Sequence, residues 1–440
     1  MSVSDNTSAF SAEGSGGDSE NIPDFDPPNP APDRILIGKS RTRIPSLGVN
    51  LELRKTKNPS IKGYATVKTR WQVDGHEYGK LVDVTSRAGL IPVEIALRSP
   101  LNKDGDFTPV FRGWVGGIGG GEDSVQFTVN DVADVLEEIP ASRRFTNPSP
   151  EIPLEYIASE LEDAGVFPEV NVVGVESAAE NQSYTSLNAA SDVQSIDPEM
   201  GSLGRREFTR NRSTLLDVLR WIRNRGGPYR YWLRPSEDFE TLEIVVAHIN
   251  SLPEIGSEYD ATGDGDVALL KNRALYQTQL RNSVVAVGAA KKSRSAQPLD
   301  SQWTAESAPS RYVRVRAVYD DLVQRAGGEY ASRQIQVDSA SEREVKAAAR
   351  SYLADLLSDS DGGGWMYSVL APQLGPYDRI RALPADQAVI DVDAEPLTWS
   401  INSVVHRTDP EYEIPNTKLD VNFHVDESEI KISDVVWEDA

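Results

Sequence analysis

The sequence predicts a mainly β protein with α+β insertions, and three observations predict it. Short runs that alternate in polarity or are rich in β-branched residues fill 35–138 and return over 268–440, bounded by Gly, Pro, Asn and Asp. Between them, 150–250 shows helical periodicity followed by two strand-like runs. Nothing repeats at a fixed period, so a solenoid is excluded.

Residues 1–34 read as an arm. MSVSDNTSAFSAEGSGGDSE is polar, and IPDFDPPNPAPD is proline-rich and expected to be extended. Either the arm is disordered or it straps onto a neighbour. It lacks an apolar core of the secretory type, so no signal peptide is expected.

The first β region, 35–149, carries strands at ILIG, VNLELRKT, YATVKTRWQV, GKLVDVTS, LIPVEIALRS, TPVFRGWVGGI and SVQFTVND. Strands this closely spaced suggest a barrel or a sandwich. The glycine-dense GWVGGIGGGEDSV lacks the Lys-Ser/Thr of a phosphate-binding loop and reads as a hairpin turn.

An α+β domain follows over 150–267. Pro153 opens a helix carrying Leu154, Ile157 and Leu161, and Gly165 ends it. The stretch 176–206 is polar, without periodicity, and reads as a loop or insertion. Ser213 is placed to cap a helix with Leu215, Leu216, Leu219 and Ile222, stopped by Gly226-Gly227. The strands YRYWLRP and TLEIVVAHI, joined by SEDFE, complete a helix–hairpin unit.

The second β region, 268–440, contains one strong helix at 341–358. Ser341 and Glu344 form a capping box, and Val345, Ala348, Ala349, Tyr352, Leu353, Leu356 and Leu357 make its apolar face. Gly362-Gly363-Gly364 closes the region, and WMYSVLAP, YDRIRALP, LTWSINSVVHRT and TKLDVNFHVD follow as strands.

Charge and composition narrow the function. The chain has 68 Asp+Glu against 45 Lys+Arg, a net charge of −23, and no cysteine. No lysine falls between Lys103 and Lys271. So acidic and lysine-poor a surface is expected of a protein working in multimolar salt, where acidic groups hold water after charge repulsion is screened. It also argues against a general phosphate-gripping surface, so no nucleic-acid binding is expected beyond passage of DNA through a lumen. The lack of cysteine excludes disulfides, thiolate metal sites and thiol catalysis. No window reaches the ~18 consecutive apolar residues of a membrane span, so no stable membrane insertion is expected.

No constellation supports catalysis. His76, His248, His406 and His424 stand far apart, and none lies in HExxH or HxH spacing, although His406 and His424 fall in strands that could meet. Asp260, Asp264 and Asp266 in YDATGDGDVALL offer the oxygen ligands calcium uses, but their spacing departs from a calcium-binding loop and suits an acidic turn. The arginines Arg205, Arg206, Arg210 and Arg212 fit a solvated ion-pair network or a face for an acidic partner. Trp71, Trp114, Trp232 and Trp365 are candidate stacking platforms for glycan. No GxSxG elbow is present. No catalytic, cofactor-binding or metal-binding residue is assigned.

Several runs resemble the tail or baseplate hub proteins of tailed viruses and contractile injection systems. Val110-Phe-Arg-Gly-Trp-Val115 and Val125-Gln-Phe-Thr-Val-Asn-Asp131 are similar to a first barrel whose F-x-G-x-V strand precedes a strand ending in Asp and turning into a short helix. The Leu215–Ile222 helix with its Trp-containing hairpin looks like the element that follows. Asn282-Ser-Val-Val-Ala-Val-Gly288 resembles the N-x-V-x-V-x-G strand opening a second barrel. The 341–358 helix, Leu374-Gly-Pro-Tyr-Asp-Arg-Ile380 and Trp399-Ser-Ile-Asn-Ser-Val-Val-His406 match its later parts. The arm and the 176–206 stretch have no counterpart.

The resemblance implies two tail-tube-like β-barrels with an intervening helix–hairpin domain, and a homotrimer whose six barrels form a ring on a hexameric tube. Its partners would be a tail tube or distal tail protein, a tape-measure protein, and baseplate or tail-fibre proteins. With the acidity, it points to a virus of halophilic archaea. The alternative is an extracellular β protein that binds carbohydrate or a cell surface.

Overall fold

The computed structural model describes residues 31–56, 61–82, 90–101, 106–120, 123–174, 205–225, 229–248, 256–276, 282–288, 311–320, 331–337, 362–385, 396–409, 414–424, 430–433 and 436–439, less a few single positions, with Leu203, Val323 and parts of 342–356. The arm expected over 1–34 and the polar stretch 176–206 lie almost entirely outside the described residues. The chain packs as two compact units. The first holds Met1–Asn272, Met366–Arg381 and Ile401–Asp420, and the second holds Arg273–Trp365, Ala382–Ser400 and Val421–Ala440.

The first unit begins with seven strands: β1 (Asp33–Ile37), β2 (Thr42–Ile44), β3 (Gly48–Lys55), β4 (Ile61–Arg70), β5 (Pro92–Leu97), β6 (Thr108–Gly120) and β7 (Ser124–Asp131). A short helix α1 (Gly79–Val82) follows β4, correcting the strand expected at GKLVDVTS, of which the described residues are helical. The strands pair antiparallel in the order β3-β4-β7-β6-β5-β1-β2. Alternation decides which face is buried. In β4, Ile61, Gly63, Ala65, Val67 and Thr69 turn inward while Lys62, Tyr64, Thr66, Lys68 and Arg70 turn outward. Ile35, Leu51, Leu53, Ile95, Phe111 and Phe127 form the core under this sheet. Gly63 is required there, since a β-carbon would overlap the Phe111 ring. The glycine-dense run is part of a hairpin, as its composition suggests. The strand continues through Gly120, paired with Val125, past a bulge between Val115 and Ile118.

Asp131 ends β7 and turns the chain into helix. Its carboxylate accepts from the Ala133 amide at 2.9 Å, capping a single 3-10 turn that leads to α2 (Val135–Glu138). The middle of the chain then supplies β8 (Arg144–Thr146), α3 (Glu151–Asp163), β9 (Glu169–Gly174), β10 (Arg205–Glu207), α4 (Leu215–Arg225), β11 (Tyr229–Pro235) and β12 (Thr241–His248). Gly165, at φ 69°, ends α3 as the sequence predicts. At α4 the cap falls one residue later than expected: the Thr214 amide bonds Asp217 Oδ2 at 3.0 Å, while Ser213 Oγ accepts from Thr209 N at 3.4 Å. β12 pairs antiparallel with β11 and parallel with β9.

Both faces of this hairpin are buried. Tyr231, Leu233, Leu242, Ile244 and Val246 enter a core with α3 and α4, while Trp232 and Val245 enter the core of the large sheet. One hairpin thereby fastens the α+β layer to the sheet, and each large side chain contributes about 1.5–3 kcal/mol.

The remaining strands are β13 (Glu258–Asp260), β14 (Leu269–Asn272), β15 (Leu275–Tyr276), β16 (Ser283–Gly288), β17 (Arg311–Tyr319), β18 (Ala331–Val337), β19 (Gly362–Val369), β20 (Arg379–Ala382), β21 (Leu397–Arg407), β22 (Asn416–Phe423), β23 (Ile430–Ile432) and β24 (Val436–Asp439). Within the first unit, β21 pairs antiparallel with β3, Val404 opposite Leu53, so the sheet begun by the N-terminal strands is extended by residues near the other end.

In the second unit a five-stranded sheet runs β18-β16-β17-β23, with β24 also on β17 and β16 parallel to β18. The 341–358 helix is present in its described residues. Val345, Ala349 and Leu353 are fully buried among Val284, Ala286, Val313, Val315 and Ala317, with Tyr352 and Leu356 at the margin. Its capping residues Ser341 and Glu344 lie outside the described residues.

The mainly β expectation holds, but the two-barrel expectation needs correction. Among the described residues the strand pairings close no barrel, and the two sheets differ. The first seven strands are antiparallel throughout, whereas the second unit's sheet contains a parallel pair. Strand spacing and alternation specify pleated strands with one inward face, but not whether the last strand meets the first.

Candidate functional site

The residues singled out for chemistry are mostly committed to structure. His406 is fully buried on β21, with Nδ1 3.0 Å from Thr417 Oγ1, and burial holds its pKa down to about 4. His424, in the second unit, has Nδ1 2.8 Å from Ser400 Oγ. His76 is exposed beside Tyr78, and His248 ends β12 opposite Tyr229. Asp260 accepts from the Thr262 amide at 2.7 Å and from its hydroxyl, and these bonds lower its pKa. Asp266 Oδ2 accepts from the Asp260 amide at 3.4 Å, and Asp264 lies outside the described residues. Among the described residues no group of three metal-ligating side chains converges.

The tryptophans are not free platforms. Trp232 is fully buried, and Trp114 packs on Phe167 and Phe239 at 5.5 and 5.3 Å. Trp71 is half-buried against Gly79, and Trp365 is half-buried beneath the Arg273 guanidinium at 5.5 Å.

Three titratable groups are buried in a way the sequence does not show. Asp378 follows Tyr377, which holds φ at 77°. Its carboxylate accepts from the Ser257 and Gly375 amides at 2.9 and 2.6 Å. Burial nevertheless raises its pKa to about 7. In the same unit Lys55 Nζ lies 3.3 Å from Asn402 Oδ1 and 4.7 Å from the Tyr377 ring centroid, and burial lowers its pKa to about 8. Asp131 binds the Gly63 amide at 2.7 Å as well as Ala133, and burial raises it to about 6. These carboxylates serve backbone donors and act as internal fasteners.

A third fastener joins the large sheet to the β11–β12 hairpin. Glu94, 2% exposed, receives Arg41 Nη2 at 3.0 Å and Arg112 Nε at 2.8 Å. Arg41, at φ 56° in the β1–β2 turn, also donates to the Glu237 carbonyl at 2.6 Å, and Arg112 donates to the Pro235 carbonyl at 3.3 Å.

What remains as a surface with functional character is arginine-rich. β10 pairs with β8, placing Arg206 opposite Phe145 and Glu207 opposite Arg144. This pairing, with the flanking bonds from the Phe208 amide to the Arg143 carbonyl and from the Ala141 amide to the Ser213 carbonyl, brings together the segments carrying Arg143, Arg144, Arg205, Arg206, Arg210 and Arg212, all exposed. Beneath them Phe145, Tyr156, Phe208 and Trp221 form an aromatic cluster with ring separations of 5.5–6.0 Å. Arg143 lies 5.4 Å from Phe145 and 5.2 Å from Tyr156, and Arg206 lies 5.8 Å from Phe208. None of the six pairs with a carboxylate among the described residues, which counts against the ion-pair-network reading. Planar guanidiniums held this way suit an acidic protein surface. Sequence reading names four of the six. Arg143 and Arg144 form a doublet 62 residues before Arg205 and join only through strand pairing.

No family model and no curated protein sequence matches the chain. Among solved structures the chain is similar to a tail protein from Neisseria meningitidis MC58, at 11% identity over 89% of this chain and 96% of that one, TM-score 0.49. It is similar to the 43 kDa tail protein of prophage MuSo2 from Shewanella oneidensis, at 10% identity over 91% and 99%, TM-score 0.49. A third likeness is to the E. coli c3393 protein, a type VI secretion component, at 9% identity over 87% and 75%, TM-score 0.42.

Proposed function

We propose that the protein is a structural component of a viral tail, acting as a hub at its distal end. It closes or extends the tail tube and ties it to baseplate, tail-tip and receptor-binding components. On this reading the protein resides in the virion, at the tail tip or baseplate, and assembles as a homotrimer. Its neighbours are the tube or distal tail protein, the tape-measure protein and tail-fibre proteins. No catalytic, cofactor or metal role belongs to it. Joined to the acidity of the chain, this reading points to a halophilic archaeal host.

The observation that carries this reading is the order of packed elements. An F-R-G-W-V strand, β6, pairs with a strand whose last residue, Asp131, caps the next helical turn. Then come α4 with its Trp-bearing hairpin, the Asn282–Gly288 strand, a helix burying Leu353, and the Leu374–Ile380 turn leading into β20. These elements follow the order the hub resemblance implies, without the two closed barrels it also implies among the described residues. The arginine face supplies a surface for an acidic neighbour, and the buried Trp114 and Trp232 remove two of the four platforms a glycan-binding reading would use.

Native mass measurement of the full chain in multimolar salt tests the proposal. Three copies per particle are expected, and a stable monomer or dimer at micromolar concentration overturns the hub reading.

A further inference from the structure

A second arginine cluster lies on the outer face of β1 and β2, at the edge of the large sheet. Alternation turns Asp33, Ile35 and Ile37 inward and Arg34 outward, and Arg43 sits on the neighbouring strand opposite Leu36. Arg98 follows the last residue of β5. The three guanidiniums surround the half-buried Phe107 ring, at 5.1 Å for Arg34, 5.8 Å for Arg43 and 4.7 Å for Arg98.

Like charges gather this way only at a cost; the inward carboxylate of Asp33 attracts Arg43, and what is left uncompensated is Arg34 and Arg98. Arg34 Nε is buried without a hydrogen-bond acceptor among the described residues. Arg98 uses its backbone amide and one guanidinium nitrogen on the carbonyls of Pro32 and Ala31, at 2.8 and 3.1 Å. Neither Arg34 nor Arg98 pairs with a carboxylate among the described residues. In a chain of net charge −23, acidic groups would ordinarily crowd such a spot.

The missing anions lie close by in sequence. Residues 1–30 contain Asp5, Glu13, Asp18, Glu20, Asp24 and Asp26 and no lysine or arginine, so the first basic side chain of the chain is Arg34 itself. Arg98 holds the chain at Ala31 and Pro32, beside the cluster. Asp24-Phe25-Asp26 lies five to seven residues upstream of Ala31. At ~3.3–3.6 Å per residue, those carboxylates are within about 25 Å of chain from that anchor. A segment with an aromatic between two carboxylates complements a surface with an aromatic among three guanidiniums.

We propose that the acidic N-terminal segment docks on the Arg34–Arg43–Arg98–Phe107 patch of its own chain, with Asp24 and Asp26 meeting the guanidiniums. The patch is a latch for the segment, distinct from the six-arginine face on β8 and β10.

Hydrogen exchange of the full chain at neutral pH and low salt tests this. Amides of 20–30 should exchange on the order of tenfold more slowly than in a free chain, consistent with a few exposed ion pairs and cation–π contacts. Protection should be independent of protein concentration. It should vanish in Arg34→Gln/Arg98→Gln and in Asp24→Asn/Asp26→Asn, and return when Arg34→Glu/Arg98→Glu is combined with Asp24→Arg/Asp26→Arg. Amides of β5 and β6, read in the same experiment, report whether a variant keeps the fold. Free-chain exchange of 20–30 in the native protein overturns the proposal. So does protection that survives the arginine substitutions, which would place the segment elsewhere, or protection that grows with concentration, which would place it on another copy.

Discussion

Asp378 shows how a single buried carboxylate shapes the response to pH. Its pKa, about 7 in the fold, lies above the ordinary aspartate value of 3.8. The folded state therefore binds a proton more tightly than the unfolded chain. The associated stability is fully present below about pH 4 and is lost as pH rises through about 7. Asp131, at about 6, acts in the same direction. His406, at about 4 in the fold against 6.5 ordinarily, acts oppositely: its contribution is complete above pH 6.5 and is lost as pH falls through about 4. Thermal unfolding between pH 5 and pH 8 should show the midpoint falling as pH rises, and Asp378→Asn should flatten that slope. The effect is bounded at roughly 4 kcal/mol. Asparagine keeps one acceptor for two amides, so a constant loss of about 1–3 kcal/mol accompanies it. An unchanged slope in the variant would show that another group titrates. None of this was legible in sequence, because Asp378 reads there as a turn residue, and only the folded chain reveals that the Ser257 amide reaches it from 121 positions away.

At the scale of elements, most of the long strands were legible, while their closure was not and the strand expected at GKLVDVTS is helical at Gly79–Val82. β4 and β7 follow from alternation, and the 341–358 helix follows from the spacing of Val345, Ala349 and Leu353, all buried in the second unit's core. Asp131 was visible as a strand end, and it caps the following turn. The arginine face was half legible, since β8 is three residues long, too short to carry a periodic signal. The Glu94 fastener was invisible, since Arg41 and Arg112 reach it from a turn and a strand 71 positions apart. Glu94→Gln should lower stability by about 3–5 kcal/mol in chemical denaturation, because Arg112 loses its counter-charge and Arg41 keeps only the exposed Glu237. The substitution Glu237→Gln, at the exposed end of the same cluster, should cost no more than about 1 kcal/mol. Equal losses would mean that Glu94 is not the centre of the cluster.

For the whole molecule, the net charge of −23 sets a condition on stability. The self-repulsion of such a surface is long-ranged at low ionic strength and falls once the screening length drops to about 3 Å near 1 M salt. The thermal midpoint followed by circular dichroism should therefore rise between about 0.1 M and 2 M salt. Equal midpoints would remove the halophilic reading while leaving the tail assignment standing, since that rests on the order of elements. The pH slope tied to Asp378 should persist at high salt, because buried groups are screened much less than exposed ones.

The pairing of β21 with β3 also governs how the chain can be made. Leu53 emerges from the ribosome long before Val404, its partner 351 positions later. At about 5–20 residues per second, β3 waits some 20–70 s for its neighbour. Throughout that interval one side of β3 offers unpaired backbone groups to any passing strand. Fast translation or a chaperone that covers nascent β3 would raise the yield of correctly folded protein, and a ribosome stalled before β21 would release a chain prone to aggregate.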